Sequence, residues 1–250
     1  MRCAGLLAVI VILGEKMTAS GSPAEIPPNE QERLAELRRY SILDTQPATS
    51  FDLLARLATS IFHTPISLVS LVDENRLWFK SKQGIELSET PRDFGFCAHA
   101  ILGNDVFVVR DAKSDLRFAG NPLVQGAPYV RFYAGAPLRS PNGYNLGTLC
   151  IMDQKPRDLS SEEREVLAGL SKLVIDELEL RLKTAELNDE TELLRLAEET
   201  AQQALARFEK TQYDLISEHV ARELGDMGER ARPPRTAFPS PWPSSPTGTT

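Results

Sequence analysis

The chain has 250 residues, 42% hydrophobic and 25% charged, with a formal net charge of −7. That composition describes a soluble globular protein long enough to bury a sizeable core, and the acidity excludes the basic footprint of a nucleic-acid binder. The three cysteines, Cys3, Cys97 and Cys150, form neither a disulfide framework nor a CxxC metal knuckle, which suits a reducing cytoplasm.

Residues 1–28 read as an extension. Its first part, MRCAGLLAVIVILG, resembles the charged and apolar regions of a signal peptide but is too short for a stable membrane span. The preferred reading is a loose segment, with translation starting at Met17 rather than Met1. Asn29 is placed to cap a helix over 30–40 that turns Leu34 and Leu37 inward. A second helix runs from Ser50, its N-cap, to Phe62, and is expected to bury Leu53, Leu54, Leu57 and Ile61.

The pattern then changes to strands at 66–72 and 76–81 around a turn at Asp73-Glu74-Asn75. Ile66, Leu68 and Val72 occupy one face of the first strand, and Val69 and Leu71 the other, so this strand should be covered on both sides. In ETPRDFGFCAHAIL (89–102), Thr90 and Asp93 are placed as helix caps and Pro91 suits an early helical turn. Gly95 lets the chain bend before a short apolar helix. The mixture of Phe94, Phe96, Cys97 and His99 reads as the wall of a pocket.

A third strand at 106–110 ends at Asp111, and a long loop follows, punctuated by Gly120, Pro122, Gly126 and Pro128. Such loops are commonly lids. Strands at 131–139 and 144–153 flank Asn142-Gly143, a hairpin signal. Phe132, Ala134 and Ala136 share one face, and Leu146, Thr148, Cys150 and Met152 share a face of the partner. Ala134, Ala136, Thr148 and Cys150 are expected to line the same side of the sheet below the lid, where small side chains leave room.

From Ser160 or Ser161, a stripe of Val166, Leu167, Leu170, Leu173, Val174 and Leu178 predicts a helix packed on the domain. Leu187, Leu194, Ala201, Phe208 and Leu215 then recur every seven residues, the pattern of a coiled-coil seam within a helix over 160–230. Beyond Leu187 no globular part remains to cover Leu193, Leu194, Leu205, Phe208, Leu215 and Ile216, so a homodimer through this helix is expected. Gly225 and Gly228 should end it. The Pro/Ser-rich 231–250 segment reads as disordered.

Seven stretches together resemble a GAF domain over residues 29–182: RRYSILDT (38–45), FDLLARLA (51–58), TPISLVSLVDENRLWFKS (64–81), ETPRDFGFCAHAIL (89–102), VVRDAKSDLRFAGNPLV (108–124), RFYAGAPL (131–138) and LGTLCIMD (146–153). The branch resembled is the one found upstream of bacterial diguanylate cyclases and sensor histidine kinases. The resemblance implies an α+β fold, with an antiparallel sheet of five or six strands, helices on one face and ligand-facing loops on the other. It further implies sensing, dimeric relay, and a kinase or cyclase as partner. No such output pattern follows the helix, so a truncated or frameshifted product, or a stand-alone regulator, is expected.

Candidate residues for a small-ligand pocket are Phe79, Phe94, Phe96, Cys97, His99, Asp111, Phe118, Asn121, Phe132, Tyr133, Thr148 and Cys150. The aromatic members serve equally well as core. Asp93, Asp111, Arg117 and Asn121 are placed to fasten the lid. A Cys97–His99–Asp111 nucleophilic set is outweighed by structural packing, because residues two apart on a helix do not share a face. Neither a metal site nor another cofactor is expected, and His219 reads as a solvated helix position. The resulting expectation is a sensory, dimerising module that is not itself an enzyme. The alternatives are a thiol-based reductase like the GAF-type methionine sulfoxide reductases, a cyclase or kinase fragment, and a bilin photoreceptor. The photoreceptor relatives place His directly after the attachment Cys, whereas Ala98 intervenes here.

Overall fold

The computed structural model describes residues 22–230. The apolar run at 1–14, Cys3 and the 231–250 segment lie outside the described residues. Residues up to Leu187 form one compact unit and those from Asn188 a second. In chain order the first unit contains α1 (Glu30–Arg39), α2 (Thr49–Phe62), β1 (Ile66–Val72), β2 (Arg76–Gln83) and β3 (Glu89–Pro91). A 3-10 turn (Arg92–Phe94) precedes α3 (Phe96–Ala100), β4 (Phe107–Val109), α4 (Pro122–Gln125), β5 (Phe132–Arg139), β6 (Asn145–Asp153) and the start of α5 (Ser161–Arg230).

The six strands make one antiparallel sheet in the order β3-β2-β1-β6-β5-β4. All seven residues of β1 are buried, as its two-sided apolar pattern predicts. Val69 and Leu71 enter a core shared with α1, α2 and the first part of α5; Ile66, Leu68 and Val72 enter a second core beneath α3 and the long loop. Gly147 is required where β6 crosses β1, since a Cβ there would lie 2.0 Å from the Ser70 carbonyl oxygen.

Several local expectations are corrected. Helix α2 buries Phe51, Ala55, Ala58 and Phe62, while Leu53, Leu57 and Ile61 are exposed and Leu54 is only partly covered. Both stripes satisfy helical spacing. The one with two alanines lets the helix lie close to the sheet, with a phenylalanine ring at each end of the contact. Neither predicted cap bonds through its side chain: Asn29 stands at the N-cap position of α1 without such a bond, and Ala48 takes that position in α2. Ser50 instead donates to Glu177 of α5 at 2.7 Å.

The 89–91 segment is an edge strand on β2 rather than a helical lead-in, and Pro91, lacking an amide donor, is tolerated at that edge. Along α5, Leu167, Leu170, Val174, Ile175 and Leu178 are buried, whereas Val166 and Leu173 stand one residue, about 100°, off this stripe and are exposed. The helix continues through Gly225 and Gly228 to Arg230. A helical glycine costs only about 1 kcal/mol and does not by itself end a helix. In the second unit Leu193, Leu194, Leu205, Phe208, Leu215 and Ile216 are exposed. No helix among the described residues is long and apolar enough to cross a membrane.

Glu30 ties α1 to the turn before α3. Its Oε1 accepts from Arg33 at 2.7 Å and from Arg92 at 2.5 Å. Burial pushes its carboxyl up, but the hydrogen bonds and charges of Arg33 and Arg92 outweigh this and hold it at about 2.

In urea denaturation, Phe51→Ala is expected to cost about 3–5 kcal/mol and Leu53→Ala less than about 0.5 kcal/mol, the reverse of the expectation from sequence. Glu30→Gln is expected to cost about 1–2 kcal/mol at pH 7, allowing for solvent screening of a partly exposed pair. A depressed carboxyl contributes stability above its unfolded value of 4.5 and loses it as the pH falls toward about 2, so the gap between variant and parent should narrow across that window. Urea midpoints at stepped pH check the sign.

Candidate functional site

Register places the sheet's polar groups. Residues directly opposite in an antiparallel pair project from the same face, and β5–β6 pairs Tyr133 with Met152, Gly135 with Cys150 and Pro137 with Thr148. Tyr133, Thr148 and Cys150 therefore lie beneath α3. Phe132, Ala134 and Ala136 do share a face as expected, but it is the opposite one, packed in the core against α1, α2 and α5. Phe132 thus leaves the candidate pocket, and the small residues do not create room there. β1 adds Ser70, the partner of Thr148 in the β1–β6 register.

A side-chain cluster forms where these groups meet α3. The Cys97 and Cys150 sulfurs are 4.0 Å apart, and both cysteines are buried. Tyr133 Oη donates to Cys97 Sγ at 3.4 Å and lies 3.4 Å from Thr148 Oγ1. The Tyr133 ring reaches this point by lying along β5 over Gly135, where a Cβ would come within 2.2 Å of the hydroxyl. Ser70 Oγ is buried beside the cluster with no hydrogen-bond partner.

Hydrogen bonding from the Cys150 thiol pulls the Cys97 thiol below the usual value. The Thr148 and Tyr133 hydroxyls act in the same direction, against the effect of burial. Burial pushes the Cys150 thiol well up, and the hydrogen bond and charge of Cys97 add to that rise. Cys97 is packed, as expected, with its sulfur against the Tyr133 hydroxyl and the Cys150 thiol.

Aromatic rings fill the space above. Phe96 stacks on Phe118 at 4.3 Å and on Tyr133 at 5.0 Å. His99 turns away from Cys97, meeting Phe118 edge-on at 4.8 Å. Its imidazole is shifted below the usual value, first by burial and then by the Arg117 charge. What remains beside Cys97 is a cavity of about 20 Å³, bordered by Leu77, Phe79, Thr90, Gly95 and Leu123 among others.

Two candidates serve the loop instead. Asn121 is buried, donates to the Phe94 carbonyl at 2.6 Å and caps α4 by accepting from the Leu123 amide at 2.8 Å. Phe94 thus takes part through its carbonyl, and its half-buried ring lies outside the core cluster. Asp111 forms a two-point pair with Arg131, at 2.7 Å for each contact, that holds its carboxyl at about 2 and keeps it away from Cys97 and His99. Arg117 pairs with Asp115, its neighbour two residues back, rather than reaching across the loop.

Sequence reasoning missed Ser70, although its parity with Ile66 and Leu68 placed it on the same face. It also missed a surface cleft of about 730 Å³ between α2 and β2, whose lining includes Thr45, Asp52, Arg56, Trp78 and Lys80. The buried Lys80 bonds the Thr45 hydroxyl and the Gln46 carbonyl there, at 2.7 and 2.6 Å. Of the predicted pocket residues, only Phe79 borders that cleft.

A family model for the GAF domain matches residues 46–178. The chain belongs to the GAF domain family. Over 179 residues it is 40% identical to a cyclic di-GMP phosphodiesterase of Pseudomonas aeruginosa, a match covering 70% of this chain and 30% of that protein. The relative is named an enzyme, which overturns the expectation that this GAF chain is not one; the chain spans less than a third of its relative's length. Among solved structures, the free methionine-R-sulfoxide reductase of Neisseria meningitidis is 18% identical, with a TM-score of 0.46 over 62% of this chain and 90% of its own. The GAF domain of an Acinetobacter phosphoenolpyruvate-protein phosphotransferase is 16% identical, with a TM-score of 0.44 over 64% and 98%. At these scores neither adds to the assignment, which rests on the family match and the Pseudomonas relative. A sensory or regulatory GAF module is the role they support.

Replacing Asn121 by Ala removes the α4 cap and strands the Phe94 carbonyl. The expected cost is about 1–3 kcal/mol in urea denaturation, with faster hydrogen exchange at the Leu123 amide.

Proposed function

We propose that this GAF module is the sensory segment of an enzyme of cyclic di-GMP turnover and that it works as a homodimer joined along α5 beyond Leu187. The observation that carries the first half is the 40% identity over 179 residues to a protein named a cyclic di-GMP phosphodiesterase. The dimer is supported by the helix itself. Apolar residues at heptad-like spacing stay exposed from Leu193 to Ile216, and a helix of that length is not held together in water by propensity alone. In this reading the input lies under α3, where a small-molecule ligand must open the Phe118–Phe96–Tyr133 stack to enter. The output passes into α5 through Leu167, Val174 and Leu178, toward a cyclase, phosphodiesterase or kinase partner.

A chimera tests the turnover assignment. The matched segment of the Pseudomonas enzyme is replaced by this chain's GAF module, and cyclic di-GMP hydrolysis is measured. Retained hydrolysis is the expected result, and a folded chimera without it overturns the assignment.

Sedimentation equilibrium tests the dimer. The intact chain should be dimeric at micromolar concentration and a chain ending at Leu187 monomeric. Added salt should strengthen the dimer modestly by screening the acidic helix. A monomeric intact chain, or equally tight truncated and intact dimers, removes α5 from this role.

A further inference from the structure

The sulfur pair lies in the same layer under α3 as the proposed input, but neither ligand entry nor the dimer uses its chemistry. From side-chain geometry, we propose that Cys97 and Cys150 are a redox-active dithiol that a small hydroperoxide converts into an intramolecular disulfide between α3 and β6.

Four observations converge. The sulfurs are 4.0 Å apart, close enough for a modest shift of the short helix α3 to bring them to bonding distance. Cys97 Sγ receives a hydrogen bond from Tyr133 Oη, which itself meets Thr148 Oγ1, so hydroxyls surround the position where a thiolate's charge would sit. Ser70 Oγ, fully buried and without a hydrogen-bond partner, borders the same point and is available to an oxygen bound to Cys97. A cavity of about 20 Å³ touches Cys97, room for a molecule of about water's size.

Burial and cavity size together select the oxidant. Cys97 is 2% exposed and Cys150 0%, which excludes a disulfide the size of oxidised glutathione, whereas hydrogen peroxide is only slightly larger than water. The lowered Cys97 thiol is the attacking group, and the raised Cys150 thiol keeps its proton until the second step.

The chemistry balances. Cys97 sulfur attacks one peroxide oxygen and the O–O bond breaks. The departing oxygen takes the Cys97 proton and leaves as water, while Cys97 becomes a sulfenic acid, oxidised by two electrons. Cys150 sulfur then attacks Cys97 sulfur, the S–O bond breaks, and the hydroxyl leaves as a second water carrying the Cys150 proton. Two thiols and one hydrogen peroxide thus give one disulfide and two waters.

The test uses the full chain with Cys3→Ser, so that only this pair can respond. The folded protein is treated with hydrogen peroxide, denatured, alkylated and mapped by mass spectrometry. The expected product has lost two hydrogens, takes no alkyl label and yields the Cys97 and Cys150 peptides joined; dithiothreitol restores both labels. In Cys150→Ser the reaction should stop at a Cys97 sulfenic acid that a cyclic 1,3-dione traps. A bulky aromatic disulfide reagent should label the folded parent far more slowly than peroxide oxidises it. Two fully alkylated cysteines after peroxide treatment of folded protein overturn the proposal, as does a disulfide that forms only after unfolding. The parent measurement decides even if Cys150→Ser fails to fold.

Discussion

Six registered positions join β1 to β6 at the centre of the sheet, and because both strands are covered on both sides, their buried apolar residues are each committed to one of two cores. A slip of one residue would exchange the two sets entirely. The helix-side core takes Val69, Leu71, Leu149 and Ile151 and is almost wholly apolar where α1, α2 and α5 lie on it. The opposite parity carries Ser70, Thr148 and Cys150. Polarity under α3 is therefore a consequence of register.

That concentration has an energetic logic. A buried hydroxyl without a partner costs about 1–3 kcal/mol, so hydroxyls scattered through an apolar layer would each be a separate liability. Gathered under α3, Tyr133, Thr148, Cys97 and Cys150 bond one another. Gly135 makes this possible by letting the tyrosine ring lie flat along β5. The same ring then supports Phe96, which supports Phe118, so the stack closing the pocket is built on the residue that completes the polar cluster. Ser70 remains outside this mutual satisfaction.

The architecture was largely legible in the sequence, and the places where it was not share a cause. Two-sided burial of β1 and the long C-terminal helix each rest on a periodicity with one reading, and the Asn142-Gly143 hairpin rests on its turn residues. On α2, Leu53, Leu57 and Ile61 repeat as regularly as Phe51, Ala55, Ala58 and Phe62, and side-chain size favoured the wrong stripe. For β5 the alternation was clear but its absolute sense was not. That sense depends on how the hairpin pairs Arg139 with Asn145, a property of the turn rather than of either strand. Phe132 was misplaced for this reason, whereas Phe96, Cys97, Phe118, Tyr133 and Cys150 do come together. Asp111 points to its ion pair because Arg131, twenty residues later, is adjacent only in the folded chain.

Strand β6 brings the two cores within one residue of each other. Cys150 points toward α3, while Leu149 and Ile151 on either side of it point into the core that seats α5 through Leu167, Val174 and Leu178. A backbone carrying alternate side chains into two close-packed layers does not move under one layer alone, because interiors at crystal-like density leave little slack to absorb the shift. Any movement of Cys150 on forming the proposed disulfide therefore strains the seat of α5. In the proposed switch, dithiol and disulfide are two discrete covalent states and α5 is the element they bias. Cys150 sits on a central strand with its sulfur in one core, and Leu149 and Ile151 beside it lie in the core that seats α5.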